Sequence, residues 1–225
     1  MTATTQTVGT HRVDEGRGAW IALALLAPIG AVAVAVLRYV LPYETTDSTT
    51  DIVRETYADP GAMSLVLWLS LVAALTIVPG SIAVGRFVRP GAPRLTAVAL
   101  ALVVPGYLML PMLAGLDHPV WLAAEAGASQ DAAVALLEAG HPSYAIATGI
   151  FVVGHVLGTV LLGVAMLRSG RVPAWAAIAT IVSQPLHFFA AVIVPNHTVD
   201  GIAWGLNALG FAAAAVVIIR HPNDR

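Results

Sequence analysis

The sequence contains no cysteine and no lysine, and only 11% of its 225 residues are charged. Without cysteine the chain cannot form disulfides, iron–sulfur clusters or thiolate metal sites. Without lysine it cannot form a Schiff base with retinal or pyridoxal phosphate, and it lacks the lysine of a phosphate-binding loop. The formal net charge of −2 gives no indication of a nucleic-acid partner.

Hydrophobic residues are correspondingly abundant. They make up 58% of the chain, and the mean hydropathy is +0.81. A soluble domain usually has about 25% charged residues, so a large part of this surface must face lipid. The composition therefore predicts an integral membrane protein and excludes a soluble enzyme.

Apolar runs of sufficient length occur six times. A membrane-spanning helix needs about 20 mostly apolar residues. We place such helices at residues 19–41, 61–87, 95–116, 144–167, 172–194 and 201–219. The predicted fold class is all-α, a six-transmembrane-helix bundle. A transmembrane domain of residues 19–219 would lie between an N-terminal cytoplasmic segment, 1–18, and a cytoplasmic tail, 220–225. The first apolar run lacks a small-residue cleavage site, which favours a retained helix over a signal peptide.

The distribution of arginine predicts the orientation of the bundle, because short cytoplasmic loops accumulate basic residues. Nine of the eleven arginines fall on one side of the predicted spans, namely Arg12, Arg17, Arg86, Arg89, Arg94, Arg168, Arg171, Arg220 and Arg225. Both termini are therefore predicted to be cytoplasmic. The composition, rich in alanine and with arginine in place of lysine, is typical of a GC-rich bacterial genome and suggests the bacterial cytoplasmic membrane.

Two long loops, 42–60 and 117–142, fall on the predicted outer side. Thr50 or Ser48 could cap a short helix in the first loop, and Ser129 could cap one in the second. Such helices would lie over the mouth of the bundle, or they would be ordinary covering loops. Arg38 ends the first span, where it suits an interfacial anchor or, alternatively, a contact to an anionic head group.

Histidine is the only ionisable residue type predicted deep in the membrane. No Asp or Glu occurs at residues 61–116 or 139–199, which weakens proton-coupled carriers and carboxylate-type membrane proteases as interpretations. His155 and His187 belong to polar stripes at helical spacing on the fourth and fifth spans. We expect these stripes to face each other in the bundle interior.

The stripes predict a ligand pocket, since intramembrane ionisable groups commonly mark functional sites. The eight candidate ligand-binding residues are His155, Thr159, Gln184, His187, Asn207, Tyr107, Trp68 and Trp204. The alternative is that these groups only bond between helices, where one contact contributes about 0.6 kcal/mol on average. Gly154 and Gly158 form a small-xxx-small pattern that would permit close approach of a neighbouring helix.

Metal and haem sites have weaker support. Asp117, His118, His141, His197 and Asp200 lie near predicted helix ends, but no pair has the spacing of a dedicated metal motif, so no metal site is predicted. His155 and His187 could ligate haem b axially. Their estimated difference in depth of about 6 Å argues against this cofactor.

An internal repeat is a further hypothesis, with chance similarity as its alternative. A shift of 80 residues superposes three positions: Pro93 on Pro173, Pro105 on Pro185, and Tyr107 on His187. The second and third spans would then correspond to the fourth and fifth. Pro105 and Pro185 each remove a helical hydrogen-bond donor and predict kinks.

Three stretches carry a resemblance to known proteins: Gly154-His155-Val156-Leu157-Gly158, Arg168-Ser169-Gly170-Arg171-Val172-Pro173 and Ser183-Gln184-Pro185-Leu186-His187-Phe188. They resemble bacterial six-pass membrane proteins classed as domains of unknown function. The resemblance covers the fourth to sixth spans, supports the architecture and implies no activity. Serine-nucleophile, carboxylate and two-haem motifs of other membrane families are not matched.

The leading functional hypothesis is a bacterial cytoplasmic-membrane protein that binds, and in one version transports or senses, a small or lipid-like molecule. One alternative is a membrane oxidoreductase that uses His155 and His187 as acid–base groups or haem ligands. Another is a structural or accessory subunit without a ligand. Expected partners are membrane lipids and the small or lipid-like molecule, and the sequence leaves a homo-oligomer open.

Overall fold

The computed structural model describes residues 10–221, with side chains from residue 18 onward. The predicted N-terminal segment and tail lie partly outside these residues. Between residues 10 and 221 the chain forms helices and connecting turns, with no β-strand. The helices are α1 (Thr10–Val40), α2 (Thr49–Ala58), α3 (Pro60–Val88), α4 (Pro93–Leu108), α5 (Leu110–Glu125), α6 (Gln130–Glu138), α7 (Ser143–Ser169), α8 (Ala174–Phe188), a π-helical turn (Phe189–Ile193) and α9 (His197–Arg220).

Six helical stretches are long and apolar enough to cross a membrane. They are Gly18–Val40, Pro60–Val88, Pro93–Glu125, Ser143–Ser169, Ala174–Ile193 and His197–Arg220. Many of their large apolar side chains are exposed on the outside of the bundle, as lipid contact requires. The prediction of an all-α, six-span membrane protein is confirmed.

The third span is longer than predicted and runs from Pro93 to Glu125. It was predicted to end at residue 116, but helical structure continues as α5 to Glu125, so residues 117–125 do not form a loop. Asp117 is accommodated because the hydroxyl of Tyr43 donates a hydrogen bond to its Oδ1 at 2.6 Å.

Pro105 and Pro185 are each followed, four residues later, by an irregular turn. After Pro105 the N–H of Met109 donates to the Gly106 carbonyl three residues back, which separates α4 from α5. After Pro185 the backbone widens into the π-helical turn, which begins at Phe189. Proline lacks the N–H donor of a regular helix, which favours an irregularity near each of these positions. The common offset agrees with the proposed repeat, which stays a prediction.

Helix α7 packs closely against α4 through glycine. A Cβ atom placed on Gly158 would lie 2.7 Å from the Cα of Val103, and one placed on Gly154 would lie 2.7 Å from the Cα of Gly106. Either contact is far shorter than a normal van der Waals distance. The predicted small-xxx-small contact is confirmed, and it holds His155 of α7 beside α4.

Short helices cover one end of the bundle. Ser48 caps α2 by accepting from the Asp51 N–H, and Ser129 caps α6 by accepting from the Ala132 N–H, as the sequence predicted for these two loops. Buried apolar residues join α2, α5 and α6 in one small cluster that contains Val53, Val120 and Ala133. We call this end of the bundle the covered end.

Candidate functional site

A buried carboxylate lies at the start of the last span. Asp200 is in the first turn of α9 and has no exposed surface. Its Oδ2 accepts a hydrogen bond from Nε of Arg38, and its Oδ1 lies 2.5 Å from Nδ1 of His187. The helix N-terminus also favours a negative charge at this position. Asp200 therefore fixes an arginine of α1 and a histidine of α8 at one point.

The indole of Trp204 also approaches His187. Its Nε1 lies 3.1 Å from the same Nδ1 that faces Asp200. An indole N–H can only donate, so Nδ1 cannot accept from Trp204 while it donates its own proton to Asp200. Because the Asp200 carboxylate accepts from Arg38 and lies 2.5 Å from Nδ1 of His187, we assign the Nδ1 proton to the contact with Asp200. The indole is then an aromatic neighbour, with its ring centroid 5.2 Å from that of His187.

His155 lies next to this group. Its Nδ1 is 2.6 Å from the carbonyl oxygen of Phe151. A carbonyl only accepts, so Nδ1 carries the proton and Nε2 is an acceptor. That Nε2 is buried and has no hydrogen-bond partner among the described residues. The ring stacks on Phe151 with centroids 4.1 Å apart, and its centroid is 5.3 Å from that of His187.

Several of these residues, although not Asp200, line a cavity of about 420 Å³, a size within the usual range of about 300–1,000 Å³ for small-molecule pockets. Arg38, His155, His187 and Trp204 form one part of its wall. The other walls are mainly apolar: Val34, Leu37, Leu41, Val66, Leu110, Leu113, Ala114, Leu116, Phe151, Val152, Val156, Phe188, Ala191 and Val192. At the covered end the lining includes Ile52 of α2 and Leu137 of α6.

Arg38, a residue of this wall, has one donor without a hydrogen-bond partner. The residue is 6% exposed, and its Nη2 is buried without a hydrogen-bond partner in the described part of the chain. An unpartnered buried donor costs about 1–3 kcal/mol, and more when it is charged. Two residues of the cavity wall therefore carry unpartnered atoms: Arg38 a donor, and His155 an acceptor at Nε2.

A second polar pair lines the cavity toward the covered end. The Tyr43 hydroxyl donates to Asp117, and both residues contribute to the lining. Burial, together with the negative charge of Asp117, raises the pKa of the Tyr43 phenol well above its ordinary value. Tyr43 thus remains a proton donor to Asp117 at neutral pH.

Three of the eight sequence-predicted residues line the cavity: His155, His187 and Trp204. Tyr107 and Thr159 are buried outside the lining, and their hydroxyls form a hydrogen bond of 3.0 Å that joins α4 to α7. Gln184 is buried beside Ser183, to which its amide donates. Asn207 is buried near the Tyr107 hydroxyl but makes no hydrogen bond of ordinary geometry to another described residue.

Trp68 is not in this group, and its predicted position is corrected. The residue is 66% exposed on the outside of the bundle. Successive residues of an α-helix are rotated by about 100°, so residue 68 points away from the direction of residues 66 and 70. Val66 and Ser70 are the residues of α3 that line the cavity.

Sequence reasoning missed the pairing of Arg38 with Asp200. The sequence favours Arg38 as an interfacial anchor and places Asp200 only near a predicted helix end. One pattern could have identified Asp200: it precedes Trp204 by four residues and Asn207 by seven, which places all three on one face of α9.

The ring centroids of His155 and His187 are 5.3 Å apart. At this separation a porphyrin plane does not fit between the two rings. The helix-end histidines are dispersed. His118 contacts Trp121, His141 lies 3.0 Å from the Ser143 hydroxyl, and His197 pairs with Glu44 at 2.8 Å. No group of three potential metal ligands occurs among the side chains described, residues 18–221.

Comparison with known proteins gives one family. The family described as "Domain of unknown function (DUF4386)" matches residues 17–220, which include all six spans. This match confirms the resemblance that was noted on the fourth to sixth spans and extends it to the first three. No curated protein and no solved structure matches the chain.

Proposed function

We propose that this chain, which belongs to the DUF4386 family, binds a small or lipid-like molecule in the cavity between its membrane spans. The proposed location is the bacterial cytoplasmic membrane, with both termini in the cytoplasm and the covered end outside. The arginine distribution supports the orientation, and the composition supports the bacterial origin. Membrane lipids would be the surrounding partners, and no nucleic-acid partner or obligatory second copy is part of the proposal.

One observation carries the proposal: a cavity wall that combines apolar side chains with buried, unpartnered hydrogen-bonding atoms. The atoms are Nη2 of Arg38 and Nε2 of His155. Polar groups in a membrane interior normally find partners, because hydrocarbon offers none. A bound molecule with a polar end would supply these partners, and its apolar part would contact the remaining walls.

A purely structural role accounts for only some of the polar residues. The Tyr107 and Thr159 hydroxyls join two helices, and the Thr180 hydroxyl satisfies a backbone carbonyl of its own helix. Such contacts need no ligand. His155 and His187 line a cavity of about 420 Å³. Helix packing alone does not explain this cavity, because close-packed interiors leave few voids larger than a water molecule.

Acid–base chemistry is a second candidate, favoured by the contact between Asp200 and His187. A carboxylate that holds Nδ1 of a histidine orients the ring for proton transfer at Nε2. In this case the protein would convert the bound molecule chemically as well as bind it. This conversion would be lost in His187→Gln while binding remains.

The test compares two alanine-to-phenylalanine variants. Ala114 lines the cavity, whereas Ala145 is exposed on the outside of α7 and does not line it. The protein is purified in mild detergent, its bound small molecules are extracted, and mass spectrometry quantifies them. We expect a stoichiometric molecule in the wild type and in Ala145→Phe but not in Ala114→Phe. Identical extracts from all three proteins would contradict the proposal.

A further inference from the structure

We infer that the molecule bound in this cavity is an uncharged amphiphile whose polar end carries both a hydroxyl group and an oxygen acceptor. The inference rests on the proposed binding function and specifies the chemical class of the ligand. A fatty-acid anion and an alkyl ammonium ion are the charged classes that it excludes.

The charges along the cavity wall favour an uncharged ligand. The positive charge of Arg38 is matched by the carboxylate of Asp200, with which it forms a buried ion pair. Asp117 already accepts a hydrogen bond from Tyr43. An added carboxylate would face Asp117 in the cavity wall and would bring no donor for Nε2 of His155. An added ammonium group only donates hydrogen bonds, so it would leave Nη2 of Arg38 without an acceptor and add a second positive charge near the guanidinium. Because unsatisfied buried polar and charged groups are costly, we expect both ions to bind less well than an uncharged head group.

The unpartnered atoms specify the hydrogen-bonding groups of the ligand. Nε2 of His155 accepts, so it requires a donor on the ligand, such as a hydroxyl. Nη2 of Arg38 donates, so it requires an oxygen acceptor. The head group of a monoacylglycerol contains both kinds of group, whereas a simple fatty-acid ester contains only acceptors.

The apolar walls specify the remainder of the ligand. Aliphatic and aromatic side chains from α1, α3, α5, α7 and the π-helical turn surround the rest of the cavity. Burial of an alkyl chain is favourable by about 0.8 kcal/mol for each methylene group removed from water. A single acyl chain attached to the polar end therefore matches the chemistry of the lining.

The experiment uses four probes that share a ten-carbon chain: 1-monodecanoylglycerol, methyl decanoate, decanoate and decylammonium. Equilibrium binding of each tritiated probe is measured on the full-length protein in phosphatidylcholine nanodiscs. We expect 1-monodecanoylglycerol to bind at least 10-fold more tightly than each of the other three, because it alone offers an uncharged donor and acceptor. Equal or tighter binding of methyl decanoate, decanoate or decylammonium would overturn the inference.

A variant pair connects the selectivity to His155. His155→Phe keeps an aromatic ring beside Phe151 but removes the acceptor, and we expect it to weaken 1-monodecanoylglycerol binding about 10-fold without changing methyl decanoate binding. His118→Phe is the matched control, because His118 is exposed and does not line the cavity. Unchanged 1-monodecanoylglycerol binding in His155→Phe would contradict the assigned contact. If His155→Phe does not fold, the ranking of the four probes on the wild type still decides.

The ligand class and the binding function can fail separately. If no probe binds but the wild type still carries a stoichiometric molecule that Ala114→Phe lacks, only the chemical class is wrong. If no probe binds and no such molecule is found, the proposed binding function fails as well.

Discussion

Asp200 connects the residues of the site at the scale of single side chains. It is fully buried, and one carboxylate holds both Arg38 and His187. Removing one member of a buried ion pair leaves a charge without a partner, whereas replacing both members with apolar groups can be nearly neutral. We therefore expect the pair to position the cavity wall rather than to add net stability.

Single and double substitutions distinguish these two effects. We expect Arg38→Met and Asp200→Leu each to lower the free energy of unfolding by about 3–5 kcal/mol, and the double variant to lose clearly less than the sum. Reversible unfolding in mixed detergent micelles measures all three. Additive losses would show that the two charges are not coupled. Arg54→Met is the control, since the ion pairs of Arg54 are exposed and its removal should leave stability nearly unchanged.

At the scale of helices, the contact between α4 and α7 places His155. Gly158 lies against the backbone of Val103, while Gly149 on the same helix has open space around its Cα. A methyl group at residue 158 would push the two helices apart. The same change at residue 149 meets no neighbour.

This contrast gives a matched pair of variants. We expect Gly158→Ala to destabilise the protein by about 1–3 kcal/mol through overpacking, and Gly149→Ala to cause no loss. Thermal unfolding in detergent compares the two. Equal stability of both variants would mean that α4 and α7 do not approach as closely as described.

The sequence predicted the helices better than their irregularities. Apolar runs determine where a chain can span a membrane, so six spans could be identified from hydropathy. The extension of α5 beyond residue 116 could not, because the hydrogen-bond partner of Asp117 is the hydroxyl of Tyr43, 74 positions away in the sequence. Likewise, Pro185 predicted a kink but not the π-helical turn that follows it.

The candidate site was predictable only in part, for a related reason. Helical spacing identified His155, His187 and Trp204, which share inward faces. Arg38 and Asp200 lie near the ends of their spans, where a charge is equally typical of an interfacial anchor. Their pairing is a tertiary contact between residues 162 positions apart. Trp68 is the opposite case: the sequence predicted it to line the pocket, but its side chain faces outward.

At the scale of the whole molecule, the orientation of the bundle can be measured directly because the chain contains no cysteine. Thr46 is an exposed residue in the turn between α1 and α2, and Pro90 is an exposed residue in the turn between α3 and α4. We expect a membrane-impermeant maleimide to label Thr46→Cys in intact bacterial cells, and to label Pro90→Cys only after permeabilisation. The opposite pattern would invert the predicted orientation.

The central claim is that a bound amphiphile occupies the cavity and supplies partners to Arg38 and His155. A density map of the protein purified from its own membrane in mild detergent tests this claim most directly. We predict elongated density along the apolar walls, with its polar end within hydrogen-bond distance of Nη2 of Arg38 and Nε2 of His155. A cavity that is closed by repacked side chains, or filled only by ordered water, would contradict the claim.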